Sequence, residues 1–305
     1  MTELLTPSLV KPTPQFGLVC ITFDETLRFR TMTRTHYLKF GEAERRQRLG
    51  DLYFHNLRKL FFALEYCFEK SIRLYRMTAN LFPLSDLEDS IGKQIVSDLA
   101  PLMTGFAARA NALGIRVIVH PEQYVVLSSE AASVRENSLN ILSHQAWILD
   151  LLGLLRSSWA AINIHGGKRG RKTELAEVVR DLPDNVKSRL TFENDEYAYS
   201  SNAILDICEK SSVPMIFDAH HHVIHEKLSS LHHDSVAVYT QLARQTWQPQ
   251  EWQIVHLSNG RSKPQDQKYS DLIEVMPEAY QQVTWIEVEA KAKEVAIAAL
   301  RQAWS

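Results

Sequence analysis

Paired cysteines are missing from this chain: Cys20, Cys67 and Cys208 stand apart, with no C-x-x-C spacing. That excludes a thiolate zinc site and suits thiols buried in a reducing cytoplasm. No window approaches the roughly eighteen to twenty uninterrupted apolar residues of a membrane span. No G-x-G-x-x-G follows the first apolar run, which argues against a dinucleotide-binding Rossmann sheet. Neither sign of charge is in excess, the formal net charge being −2. Any polyanion must therefore be met by a local patch rather than by the field of the whole molecule. Low-complexity tracts, fixed-period repeats and the basic start and long apolar stretch of a signal peptide are absent as well.

What the chain does have is a regular alternation. Eight short apolar runs, rich in β-branched residues, read as buried strands: 16–23, 71–77, 115–120, 160–165, 190–194, 214–218, 253–256 and 283–289. Between them lie segments of helical period. From Asp51 to Phe68, Leu57, Leu60, Phe61, Leu64 and Phe68 recur at three- and four-residue steps and draw one apolar stripe. Similar stretches follow at about 87–112, 131–156, 172–181, 201–211, 234–245, 271–282 and 290–303. Strand–helix alternation selects a parallel α/β sheet, and eight repeats favour closure as a (β/α)8 TIM barrel. A chain of 305 residues, 45% of them hydrophobic, is accounted for by one such domain over 16–305, preceded by a poorly ordered arm at 1–15 with three prolines.

The chemistry-bearing residues collect at the ends of these runs. His120, His165, Glu193, Asp218, His221, His256 and Glu289 all lie at or just past predicted strand ends, and a barrel brings such ends to one face. A lone histidine there reads as a satisfied buried polar group. Seven imidazoles and carboxylates in one cavity repel or stay undersolvated unless cations bind them. The donors are nitrogen and oxygen without sulfur, which suits Mn²⁺, Zn²⁺ or Fe²⁺. Seven ligands exceed the four of one tetrahedral ion, so two or more divalent ions are implied, with Glu193 able to bridge a pair. Paired ions suit displacement at phosphorus, and phosphate ester hydrolysis is the natural reading. Within Asp218-Ala-His-His-His222, Asp218 and His221 take the ligand roles, with His220 and His222 as second choices.

Several predicted rim loops are basic. Gly166-Gly-Lys-Arg-Gly-Arg-Lys172 carries Lys168, Arg169, Arg171 and Lys172; Arg28, Arg30 and Arg34 follow the first run; Arg261, Lys263 and Lys268 follow the seventh. A charge run is usually a solvated loop, but three on the rim of a metal site point to a long polyanion. Gln123 and Tyr124, just after His120, are the residue types that wedge into a base stack.

The runs Tyr75-Arg-Met-Thr-Ala-Asn-Leu-Phe-Pro-Leu84, His120-Pro-Glu-Gln-Tyr124, Asn163-Ile-His-Gly-Gly167, Phe192-Glu-Asn-Asp195, Phe217-Asp-Ala-His-His-His222, His256-Leu-Ser258 and Glu287-Val-Glu-Ala-Lys-Ala-Lys293 resemble the UV damage endonuclease family. The resemblance implies a TIM barrel related to endonuclease IV, two or three divalent ions (Mn²⁺ above all), and double-stranded DNA carrying UV lesions as substrate. It implies nicking immediately 5′ of the photoproduct, with a 3′-hydroxyl left behind. The seven residues above fall on family metal-site positions, with Glu193, His165 and Glu289 as the expected catalytic set. Gln123 and Tyr124 fall on the lesion-probing pair, and Arg76 and Lys263 join the four cations of 168–172 as expected DNA contacts. A monomer working in the cytoplasm is the accompanying expectation.

The chain departs from the family at four places. Asp86 stands where the family offers a histidine and is kept as a candidate ligand. Ile254 stands where a modified lysine can occur, Tyr269 where a histidine is expected, and Leu18 where a lesion-contacting tyrosine is expected. Two other readings remain open. Glu193, Asp218, His256 and Glu289 alone would make the single-metal site of a xylose-isomerase-like sugar isomerase or epimerase. Loss of chemistry through the departures would leave a non-cleaving damage-binding protein.

Overall fold

The computed structural model describes residues 13–121 and 125–304. Eight parallel strands close into a barrel in chain order: β1 (Gln15–Val19), β2 (Leu74–Met77), β3 (Arg116–Val119), β4 (Ile162–His165), β5 (Leu190–Glu193), β6 (Met215–Asp218), β7 (Ile254–Leu257) and β8 (Trp285–Val288), with β8 pairing back onto β1. Each lies within its sequence-predicted run, apart from a one-residue start at Gln15 and a one-residue end at Leu257. β1 ends at Val19, because Cys20 turns into the left-handed region at φ 60°. Most of the expected N-terminal arm, residues 1–12, lies outside the described residues.

Side chains alternate faces along a strand, so every second residue of each strand enters the barrel. The interior thus fills with Leu74, Ile118, Ala161, Ile216 and Ile254, joined by Trp247. Continuing each inward column two residues toward the C-terminal end gives Arg76, His120, Asn163, Asp218 and His256. An apolar plug therefore supports a polar layer directly above it. Ile254 and Leu18, two of the departures noted above, are fully buried apolar residues.

The helices wrap outside. The long helix Glu42–Glu69 buries Leu57, Leu60 and Leu64 as its stripe requires, while Phe68 is exposed beneath the Arg73 guanidinium. The expected helix 87–112 is two, Ile91–Met103 and Phe106–Ala112, broken where Gly105 adopts φ +108°. The expected helix 271–282 does not form; only a 3-10 segment, Glu278–Gln282, is present. Asn259 explains this, because its Oδ1 accepts the backbone N–H groups of Glu274 and Val275 at 2.8 Å and holds the loop open, and Pro277 supplies no donor. The 3-10 turn has its own use. Buried Tyr280 accepts from the Ala219 N–H at 3.1 Å and donates toward the carbonyls of Phe217 and His256, tying the ends of β6 and β7 together. No described helix is long and apolar enough to cross a membrane.

Candidate metal centre

All seven expected ligands meet at the C-terminal mouth. They form three overlapping groups whose donor atoms lie within 4.8 Å of one another: His120, His165 and Glu193; Glu193, Asp218 and His221; Asp218, His256 and Glu289. Glu193 is the hub. Its Oε2 lies 3.3 Å from His120 Nε2 and 4.0 Å from His165 Nε2, while Oε1 lies 2.9 Å from His256 Nδ1 and 3.3 Å from His221 Nδ1. The two oxygens of one carboxylate thus face two separate histidine pairs.

Neighbouring strands hold these groups in place. Asn163 Nδ2 donates to Glu193 Oε2 at 2.6 Å, and its own Oδ1 accepts from Thr191. Asn194 exchanges two bonds with the Asp218 backbone, at 2.9 and 3.0 Å, and so fixes the end of β5 against the end of β6. Asp218 also caps the helix Ala219–His225: Oδ1 accepts from the His221 N–H at 2.8 Å, which turns His221 back toward the strand ends. The carbonyls of Pro121 and Asn194 accept from Nδ1 of His120 and His221. For His120 such a carbonyl sets the tautomer that leaves Nε2, the nitrogen facing Glu193, free as a ligand, whereas His221 turns Nδ1 to Glu193 and Nε2 to Glu196 and Tyr269. Gly166, just after His165, has to be glycine, because a Cβ there would meet the Tyr199 ring at 2.5 Å.

The electrostatics are those of a site arranged for cations. Burial pushes the Glu193 carboxyl up, but His256 and His165 outweigh it and hold it well below the usual range. His256 is correspondingly raised to about 10: burial opposes its charge, and Glu193 and Glu287 more than compensate. His221 is raised as well, by Asp218 and Glu193 against burial. Burial raises Asp218 and Glu287. Asp218 Oδ2 and His165 Nδ1 are buried without a hydrogen-bond partner. Unpartnered acceptors beside a charged carboxylate are what divalent cations satisfy, so the residues present fit a metal centre.

Other expectations need correction or sorting. Asp86 is exposed, lies outside all three ligand groups, and lines a separate cavity with Lys93, His144 and Trp147. The loop after β2 turns it outward. Arg76 is on the floor of the bowl rather than on its rim, 2.7 Å from Glu287 and 2.6 Å from Glu289. His222 is held between Ser201 and Ser235, and His220 by Ser258, so both stand behind the centre. Lys168 and Arg171 share Glu130 at 3.0 Å, Lys172 pairs with Asp206, Arg169 donates to the Tyr197 carbonyl, and Lys263 is exposed. Gln123 and Tyr124 lie outside the described residues.

Three participants, Glu287, Lys291 and Lys293, escaped the sequence reading, and Tyr269, noted there only as a departure, takes part as well. Glu287 is fully buried 3.1 Å from His256 Nε2, and period two from Glu289 along β8 would have found it. Lys291 and Lys293 line the ≈490 Å³ cavity over the centre, beside Cys20 and Tyr269. Tyr269 donates to Glu289 Oε2 at 2.7 Å and lies 3.5 Å from His221 Nε2.

A (β/α)8 barrel with a His/carboxylate cluster suited to cations at its C-terminal mouth is the class that fold and site define. The pattern described as UV-endonuclease UvdE matches residues 14–304. The chain belongs to that family. It is 53% identical to the UV DNA damage endonuclease of Nostoc sp. over 95% of this chain and 90% of the relative, and 48% identical to that of Deinococcus radiodurans over 96% and 97%. The fold is shared with the crystal structure of SacUVDE (TM-score 0.77, 24% identity, 95% of this chain and 99% of that one). It is also shared with endonuclease IV from Thermus thermophilus (TM-score 0.58, 14%, 95% and 98%). A D-psicose 3-epimerase from Clostridium cellulolyticum has the same barrel (TM-score 0.52, 12%, 90% and 85%). Family membership, not the barrel, therefore decides against the sugar-isomerase reading.

Proposed function

We propose that this chain is a divalent-metal-dependent DNA repair endonuclease that cuts the backbone immediately 5′ of UV photoproducts, pyrimidine dimers and 6-4 photoproducts, and leaves a 3′-hydroxyl. The observation that carries the reading is the division of Glu193, one oxygen toward His120 and His165 and the other toward His256 and His221. A carboxylate placed in that way would serve as a shared ligand for two cations. The nitrogen and oxygen donors suit Mn²⁺ first and Zn²⁺ second. Bound ions would activate water for in-line attack at phosphorus and neutralise the departing 3′-oxygen. The protein's own part is positioning. Asn163 orients Glu193, the Pro121 and Asn194 carbonyls orient His120 and His221, and Asp218 and Glu289 complete the ligand set from β6 and β8.

The substrate reading rests on the rim. Lys291 and Lys293 over the cavity, with Lys168, Arg169, Arg171, Lys172 and Lys263 on neighbouring loops, supply phosphate contacts, while Gln123 and Tyr124 probe the lesion. The enzyme acts as a monomer in the cytoplasm. Purified protein with Mn²⁺ is expected to relax UV-irradiated supercoiled plasmid and to spare the unirradiated control. Glu193→Gln should lose nicking by at least about a hundredfold while still binding irradiated duplex. Normal nicking by that variant contradicts the bridging role. Binding without nicking by the unaltered chain leaves a damage-binding protein in place of an enzyme.

A further inference from the structure

Two cavities open over the ligand cluster and share His120, Pro121 and His165, yet their linings differ in charge. The larger, ≈490 Å³, has Arg76, Lys291 and Lys293, cations that suit a phosphodiester. The smaller, ≈280 Å³, has no lysine or arginine among the described residues and has two acids, Asp195 and Glu196. A phosphate is repelled there, whereas an uncharged ring is not. Its walls are apolar, Pro121, Val125 and Ala198, with one aromatic ring, Tyr197. That ring is 54% exposed although its backbone is firmly tied. Asp195 Oδ1 accepts the N–H groups of Tyr197, at 2.7 Å, and of Ala198, while Oδ2 accepts that of Tyr199 at 3.2 Å. From the loop after β4, Arg169 donates to the Tyr197 carbonyl, and the Lys168 carbonyl accepts from the Tyr199 hydroxyl at 2.6 Å. A large aromatic side chain held in solvent beside a cavity marks a contact with a partner, and a fixed backbone lowers the entropy lost when that contact forms.

We propose, resting on the DNA-endonuclease reading above, that Tyr197 is a specificity-determining residue whose ring stacks on an unpaired nucleobase in the smaller cavity, while the adjoining phosphate lies in the larger, basic one. The division of charge between the two cavities carries this assignment: the cations take the phosphate, and the aromatic wall with its acidic edge takes the neutral base. An intact duplex keeps its bases paired and stacked and offers the ring nothing. A damaged step releases a base at the least cost. Because the contact is a stack rather than an ion pair, it adds affinity without releasing counterions. Tyr197 thus differs in kind from Lys168 and Arg169, the neighbouring cations of the loop tied to it.

The test is the dissociation constant for a duplex oligonucleotide carrying one pyrimidine dimer and for its intact counterpart. Fluorescence anisotropy across a salt series reads it, with Ca²⁺ in place of Mn²⁺ so that binding is followed without cutting. Tyr197→Ala should bind the damaged duplex about tenfold more weakly and the intact duplex as before, with an unchanged slope of log Kd against log salt. Tyr197→Phe should match the unaltered chain, and Tyr197→Leu should resemble the alanine variant. Affinity of Tyr197→Ala for the damaged duplex within about twofold of the unaltered chain overturns the proposal. Full affinity in Tyr197→Leu also overturns it, because bulk rather than stacking would then suffice. So does a flattened salt slope in Tyr197→Ala, which would show that Lys168 and Arg169 had moved with the loop. Plasmid nicking is scored separately. Tyr197-dependent affinity without nicking sinks the enzyme reading alone, normal nicking with undiminished affinity in Tyr197→Ala sinks this proposal alone, and an unaltered chain that does not bind the damaged duplex sinks both.

Discussion

Two arginines on neighbouring strands enter the barrel, and the chain holds them in opposite ways. Arg76, on β2 near the mouth, lies between two carboxylates. Arg116, which opens β3 at the floor, has no carboxylate near it among the described residues. Its guanidinium donates three bonds of 2.8 Å to the carbonyls of Ser158, Trp159 and Trp252 and packs on the rings of Trp159, Trp247 and Trp285. Burial draws Arg116 well below the usual arginine range, whereas Glu287 and Glu289 overcome burial and hold Arg76 above it. A charge solvated by carbonyl dipoles and aromatic faces has nothing to exchange with and serves only to close the barrel. A charge balanced by carboxylates belongs to a set that protons, metal ions or phosphate can join. The stabilising end and the chemical end of a TIM barrel differ in this sense.

The strongest way to break the comparison is Arg116→Met. The substitution preserves bulk but strands three buried carbonyls, each of which loses a charge-assisted bond. The expected cost is about 3–5 kcal/mol of folding stability, read from urea denaturation. Metal content and plasmid nicking at low temperature should match the unaltered protein. A loss of bound metal in the folded variant would mean that floor and mouth are coupled.

This division was half legible in advance. All eight strands and the clustering of the seven side chains at the mouth could be read, because a run buried on both faces is apolar throughout and its C-terminal end is where polarity must appear. The inward column of each strand was legible too, yet unread: counting back by two from His165, Glu193 and Glu289 leads to Asn163, Thr191 and Glu287, and the same period turns Arg76 inward from the rim. Loops were not read: Asn259 holds 271–277 open, Asp218 starts a helix which carries His221 into the site, and Asp86 turns outward. The first depends on a partner fifteen residues away, whereas the Asp218 cap is a local contact three residues long that the sequence reading did not use.

A second test uses pH, because the mouth gathers several coupled groups whose ionisation is shifted. In metal-free protein the folded pKa of His256 is about 10 against an ordinary 6.5. A raised pKa contributes stability that is complete below about 6.5 and is lost as pH climbs through about 10. Burial raises Asp218 and Glu287, which act in the same direction. Glu193 and Glu289 are lowered, so their contribution fails only on acidification. EDTA-treated protein should therefore lose on the order of 2 kcal/mol between neutral pH and pH 10, measured by denaturant titration. Mn²⁺ should flatten the curve, because ions replace the protons. Arg116→Met should lower the whole curve without changing its slope, and a changed slope would show titration at the floor.

The smallest effect belongs to a third setting, the exposed rim, where Lys168 and Arg171 share Glu130 at 3.0 Å. Both cations and the acid can reach solvent, so the pairs contribute little, and Glu130→Ala should leave folding stability essentially unchanged. Its effect should fall on association instead. Removing the acid frees Lys168 for phosphate and leaves Arg171 with Glu174 alone at 3.4 Å, so binding to duplex DNA at low salt should tighten by about two- to fivefold and its salt dependence should steepen. Fluorescence anisotropy across a salt series measures both. Unchanged affinity and slope would show that the 168–172 loop lies off the DNA path, leaving Lys291 and Lys293 over the cavity as the cations that meet the backbone.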